Sequence, residues 1–365
     1  MKKNRFLLAI APIMAIFTLI SCADSEEMPQ PARTPDNEIR FAANTEYSRG
    51  TDITTSNLTT FNVYAYTGTA TNPKLFMNNV KVNKTASNTW GYSPVQYWPA
   101  DEKVDFYAFS PASWVGESSP LSPVPYDAFA LYPSTEDIVY AVSPNLHGYA
   151  GQANAQVIFN FRHALSKITL KMRSSSTDLV VRITNVALTN IMTQGNFLFP
   201  KASTAGTLSA ENVGKWADQN TPQSYVLHFS QDTTDMIILN PTPVVIEPLG
   251  AGMGGRLFVM PQHLTWRSNG SGNDTYLVVM CVIYDRKSGE KIWPNKNTPP
   301  ENVVSGSTFG DGLLKFPLST SKFSDWQPGC HYIYNINIST NEEMGSIEFG
   351  TPTVDSFIDV ETNYE

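Results

Sequence analysis

Short apolar segments with a two-residue period, each bounded by Gly, Pro, Asn, Asp or Ser, recur along the chain and limit what it can fold into. Residues 61–66, 104–109, 157–161, 179–188, 225–229, 276–284 and 332–338 all carry the pattern. Successive side chains on a strand point to opposite faces, so this period collects apolar groups on one side. β-Branched and aromatic residues dominate the same segments, as strands prefer. No window holds a sustained 3.6-residue apolar stripe with helix caps. The pattern predicts an all-β chain built from sandwiches. A single core stops growing at about 250–300 residues, and the chain has 365, so two sandwiches are expected. Residues 110–155 gather Pro111, Pro120, Pro123, Pro125, Pro133 and Pro144 before a strong strand begins at Val157. We therefore expect an N-terminal sandwich over 38–155 and a C-terminal one over 156–365.

Composition removes several function classes. With 33 acidic and 25 basic residues the net charge is -8, so no basic field exists to attract phosphates and no nucleic-acid partner is expected. Charged residues make up only 16% and aromatic ones 12%, and the 25 prolines and 22 glycines are scattered. That combination excludes disordered, collagen-like and coiled-coil chains. Three cysteines cannot form a disulfide framework.

The first residues form an export signal. Lys2, Lys3 and Arg5 precede an apolar run from Phe6 to Ile20, which ends in Leu19-Ile20-Ser21-Cys22. A spanning helix needs about 20 apolar residues, and this run is shorter, contains Pro12 and stops at the cysteine. Residues 1–21 are thus expected to be a lipoprotein signal peptide. The resemblance to bacterial lipoboxes implies cleavage before Cys22, a diacylglycerol thioether on its sulfur and an acylated N-terminus, which together anchor the chain without spanning the membrane. Residues 22–37 read as a tether, with Pro29, Pro31 and Pro35 keeping it extended. Its Ala23-Asp24-Ser25-Glu26-Glu27 resembles the surface-export signals of Bacteroidetes lipoproteins, and it also reads as an ordinary solvated linker.

Residues suited to catalysis do not assemble into a motif. Gly250-Ala251-Gly252-Met253-Gly254-Gly255 fits a dinucleotide fingerprint by letter, but a strand rather than a helix follows it at residues 256–260. His147, His163, His228, His263 and His331 lack zinc spacing, and adjacent Cys330 and His331 would face opposite ways on a strand. Gly306-Ser307-Thr308-Phe309-Gly310 has threonine where a nucleophile elbow needs serine. Asp101, Glu102 and Asp105 offer carboxylates with no defined pairing. Cys281 and Cys330 sit on apolar strands, where a buried thiol and an export-permitted disulfide are both open. The expectation is a non-enzyme without metal or cofactor.

Several segments together resemble the fimbrillin-like (Mfa-like) fimbrial subunits of Bacteroidales. They are Glu38-Ile39-Arg40-Phe41, residues 57–66, Tyr97-Trp98-Pro99 followed by residues 104–111, His163-Ala164-Leu165-Ser166-Lys167-Ile168, Val259-Met260-Pro261-Gln262, and Trp326-Gln327-Pro328-Gly329 leading to Tyr332-Ile333-Tyr334. The resemblance implies two transthyretin-like β-sandwich domains, an outer-membrane lipoprotein precursor, and a mature form in a fimbrium. It also implies assembly with other pilus subunits by strand donation, and adhesion to a host or bacterial surface ligand.

The residues support such an exchange. Ile39, Phe41 and Ala43 fall on one face of a strand and would insert into a sandwich core as a removable first strand. Arg49 lies in the polar segment 44–56, and similar subunits are cut after an arginine in such a loop; Arg33 and Arg40 are rival sites. A vacated slot is a template for another chain's strand. Ile347-Glu348-Phe349 repeats the spacing of Ile39-Arg40-Phe41, and Val354 and Phe357 follow. Residues 345–365 are thus a candidate donor segment, or else the last strand of their own domain. A second expectation is a permanently anchored surface lipoprotein that binds glycan or protein through exposed aromatic side chains.

Overall fold

The computed structural model describes residues 38–45, 57–69, 71–87, 89–112, 129–130, 137–148, 156–203, 211–248, 257–267, 270, 272–320, 323–341 and 346–349. Strands dominate, and no α-helix occurs among the described residues. None of their helices is long and apolar enough to cross a membrane.

The first sheet holds β1 (Arg40–Thr45), β2 (Thr60–Thr69), β3 (Asn72–Lys84), β4 (Trp90–Gly91), β5 (Val104–Ser110), β7 (Val139–Leu146) and β8 (Gln156–His163), in the order β1-β8-β7-β5-β2-β3-β4. The second sheet runs β11 (Lys215–Phe229), β10 (Leu179–Leu198), β15 (Tyr276–Asp285), β16 (Lys291–Trp293). Within it β6 (Phe129–Ala130) and β12 (Ile237–Ile238) also pair with β10, and β17 (Gly312–Pro317) pairs with β15. The third runs β13 (Val244–Ile246), β9 (Ser166–Arg173), β18 (His331–Asn341), β19 (Ser346–Phe349), with β14 (Leu257–Val259) also on β9.

Alternation explains which faces are buried. Val157, Phe159 and Phe161 of β8 join Phe61, Val63 and Phe106 in one core. The second and third sheets enclose another core, with Ile168, Leu170 and Met172 of β9 packed among Val181, Ile183, Val279 and Ile336. β2 is buried on both faces along its middle. Its Tyr64 and Tyr66 point away from the first core and meet Phe258, Met260 and Phe197 in a cluster that joins the first sheet to the rest of the chain.

The expected join near residue 155 is corrected by these pairings. β8 lies in the first sheet between β1 and β7, and the chain passes to β9 in the third sheet through Ala164 and Leu165. β7 pairs with both β5 and β8 in the first sheet, whereas β6, between β5 and β7 in sequence, pairs with β10 of the second. β10 and β11 extend well beyond the apolar segments at 179–188 and 225–229. Bulges and the left-handed Asn190, Asp218 and Thr221 carry this ladder through polar sequence, where apolar periodicity gives no signal.

Candidate functional site

The first strand is seated like a wedge. β1 runs parallel to β8, from Arg40 opposite Gln156 to Thr45 opposite Phe161. Its alternation drives Ile39, Phe41 and Ala43 inward, where they are 0%, 2% and 9% exposed, while Arg40 faces solvent. Phe41 lies among four rings, with centroids 5.1 Å from Tyr92, 5.5 Å from Phe159, 6.0 Å from Phe106 and 6.2 Å from Phe61. The Gln156 side-chain amide donates to the Phe41 carbonyl at 3.0 Å.

A second grip comes from the opposite edge. The Ile39 amide donates to the Gln96 carbonyl at 3.0 Å, and Glu38 forms an isolated antiparallel bridge with Tyr97. The Tyr92 hydroxyl donates to the Ile39 carbonyl at 2.8 Å. Burial pushes the Tyr92 phenol up to about 12, opposed by its bond with the Gln96 backbone. These main-chain bonds hold a strand whatever its side chains are. The cage around Phe41, by contrast, depends on side-chain shape and size. Sequence alternation pointed to Ile39, Phe41 and Ala43, but it missed Tyr92, Gln96 and Gln156. These three act through backbone groups of a distant strand, and no local pattern marks that.

Other sequence candidates are scattered. Cys22, Arg49, Val354 and Phe357 lie outside the described residues, as do Gly250–Gly255. Ile347 and Phe349 belong to β19, paired antiparallel with Thr340 and Ile338 of β18. His163 Nδ1 lies 2.7 Å from Asp137 Oδ2 in a buried pair, and His331 Nε2 lies 2.8 Å from the Thr169 hydroxyl. Cys281 and Cys330 are free thiols, both pushed up by burial. Among the described residues no three His, Cys, Asp or Glu side chains group as a metal site would require. Glu102 pairs with Lys74 at 3.6 Å, and Asp105 accepts from the Asn145 amide at 2.6 Å, so neither carboxylate stands opposite another acid in these contacts.

Three segments that carry the family resemblance meet in space. Val259 of β14 pairs with Ser166 of β9, the Trp326 amide donates to the Gln262 carbonyl at 2.9 Å, and the Gly329 amide donates to the Leu165 carbonyl at 2.8 Å. Beside them opens a cleft of about 620 Å³ lined in part by Trp216, His263, Asp325 and Gln327. Trp216 Nε1 donates to the Ala164 carbonyl at 2.7 Å, and His263 Nδ1 lies 2.9 Å from Asp325 Oδ1. The Ser324 hydroxyl bond, helped by His263 against partial burial, holds the Asp325 carboxyl below the usual carboxylate range.

The model of the fimbrillin-like family matches residues 45–355. The chain belongs to the fimbrillin-like family. A fimbrium subunit of Phocaeicola vulgatus, Fim1C, is 35% identical to this fimbrillin-like chain over 115 residues, 27% of this chain and 29% of that protein. The chain thus matches less than a third of that relative's length. A fimbrial protein from Bacteroides vulgatus, known from its crystal structure, is 15% identical, with 88% of this chain and 100% of that chain covered and a TM-score of 0.49. The family match begins at Thr45, the last residue of β1.

Proposed function

We propose that this fimbrillin-like chain is a structural and adhesive fimbrial subunit that assembles with other subunits at the cell surface by exchange of its first strand. In this reading residues 1–21 direct export, Cys22 carries the lipid anchor of the precursor, and cleavage after Arg49 frees β1. Two sandwiches, joined at 164–165, form the body.

The seat of β1 is the observation that supports this reading. An edge strand held by one parallel ladder and a few bonds to residues 92–97 can leave without dismantling the rest of the first sheet. Its departure would expose the ring cage and the unpaired edge of β8. Burying a replacement for Ile39 and Phe41 contributes about 3–6 kcal/mol before the cost of ordering the incoming segment. The tail offers Ile347 and Phe349 at the matching spacing, with Val354 and Phe357 beyond. Donation requires β19, a strand of 4 residues, to unzip from β18. Repetition from copy to copy gives open-ended, head-to-tail growth.

Purified unlipidated protein treated with an arginine-specific protease should give ladders on gels. Cleavage at Arg49 with the protein monomeric under every condition overturns the assembly. Sequencing of the mature N-terminus separates this reading from a permanently anchored glycan- or protein-binding lipoprotein. Gly50 supports exchange, and lipidated Cys22 on every molecule supports the anchor.

A further inference from the structure

The cleft beside Trp216 differs from the strand seat in kind, because it presents fixed polar groups around an aromatic wall. Several of its polar side chains are already used by the fold. The Gln262 side chain accepts from the Met192 amide and donates to the Met260 carbonyl, and the Gln219 amide donates to the Pro261 carbonyl. Removing these from consideration leaves Asp325, His263, Gln327 and Lys215 as groups able to meet a ligand.

Asp325, His263 and the Gln327 main chain are positioned before any ligand arrives. Asp325 accepts from Ser324 through Oδ2 and from His263 through Oδ1, which leaves further lone pairs on both oxygens. An ionised carboxylate only accepts, so His263 carries its proton on Nδ1, which leaves Nε2 as the acceptor of the neutral ring. The pair is open to solvent, at 66% and 43% side-chain exposure. The Gln327 backbone is held at both ends: its amide accepts no freedom because it donates to the Tyr332 hydroxyl at 2.8 Å, and its carbonyl accepts from Ser166 at 2.8 Å. Its side chain remains exposed. The Trp216 ring is fixed by its bond to Ala164 and by an edge contact with Phe197 at 5.2 Å.

We infer that this cleft is a binding site for a short neutral glycan of one to two sugar rings. A pyranose presents an apolar C–H face beside a rim of hydroxyls that both donate and accept. An indole wall suits the first and a carboxylate, an imidazole and an amide suit the second. The cleft volume lies within the ~300–1,000 Å³ usual for small-ligand sites. Asp325 and Lys215 put one charge of each sign on the lining, so the cleft has no net field to favour a phosphorylated or carboxylated sugar. Placement of Asp325 and His263 by their mutual bond lowers the ordering cost of binding.

The test uses the full chain, solubilised in detergent, on an array of neutral, sialylated and sulfated glycans. Bound neutral glycans are then titrated by tryptophan fluorescence. Asp325→Ala and Gln327→Ala, both at exposed side chains, should each weaken the neutral glycan at least tenfold with the thermal midpoint unchanged. Lys296→Ala, outside the cleft, should leave affinity as it is. Four results overturn the inference: no neutral glycan bound, preference for acidic glycans, affinity unchanged in both cleft variants, or displacement of the glycan by a peptide of residues 350–365. The first three results leave strand exchange untouched, and the gel ladders test it separately; the fourth would assign the tail to this cleft instead of the slot beside β8.

Discussion

Phe41 stacks on Phe159, with ring centroids 5.5 Å apart and planes 17° from parallel, so the first strand contributes a ring to a core built mostly from later sequence. Phe41→Ala empties the centre of that cage. It should cost about 3–5 kcal/mol in urea unfolding, as for other large-to-small core changes. Arg40→Ala, one residue away, removes an exposed side chain that pairs with Glu38 at 3.8 Å and should cost far less, about 0–1 kcal/mol.

Tyr92→Phe deletes one donor to the Ile39 carbonyl and should cost about 0.5–1.5 kcal/mol. Hydrogen exchange of the Ile39 and Phe41 amides should speed up accordingly, with β5 and β7 little affected. The pH dependence follows from the raised phenol. Its pKa is about 12 when folded, against an ordinary value of 10.0. The stability linked to its proton is fully present below pH 10 and is lost as pH rises through 12. Over that range the wild type should lose stability relative to Tyr92→Phe, as measured by urea midpoints at each pH.

Alternation made β1, β2, β5, β8, β15 and β18 legible, because one buried face imposes a period of two on side-chain chemistry. It said little of β3, whose exposed and half-buried residues show no such contrast. It also could not show that Tyr64 and Tyr66 face a second apolar surface, since burial on both sides removes the polar half of the pattern. Of the strand seat, Ile39, Phe41 and Ala43 were visible in the sequence. Tyr92 and Gln156 were not, because a side chain that serves another strand's carbonyl leaves no periodic trace. The cleft was hidden for a similar reason: Trp216 and Asp325 are far apart in the chain, and they share it through the Gln219 bond to the Pro261 carbonyl and the pairing of residues 262–264 with 324–326.

Gly214→Ala tests the junction between the first sheet and the rest. A Cβ there would overlap the Phe197 ring, while the Gly214 amide is held by the Tyr140 hydroxyl at 2.6 Å. The variant should lose about 1–3 kcal/mol through overpacking. Phe197→Leu in the same chain should recover part of that loss, which a double-mutant cycle in urea would measure.

Thiol labelling tests the second core. Cys281 is fully buried, and burial pushes its thiol up, so the reactive thiolate is scarce while the chain is folded. Iodoacetamide at pH 8 should leave Cys281 unmodified in the native protein and label it at least a hundredfold faster in urea. Rapid native labelling would mean that β15 is not enclosed as described.

The parallel pairing of β1 with β8 has a consequence for how the chain is made. Arg40 emerges early in synthesis, yet its partner Gln156 and the stacking ring of Phe159 are made much later. Until then Ile39 and Phe41 have no ladder to join, and closing so long a loop makes their docking a late event. The first strand is therefore the last piece of its sheet to be placed, so a newborn molecule passes through a form whose notch beside β8 is still unfilled.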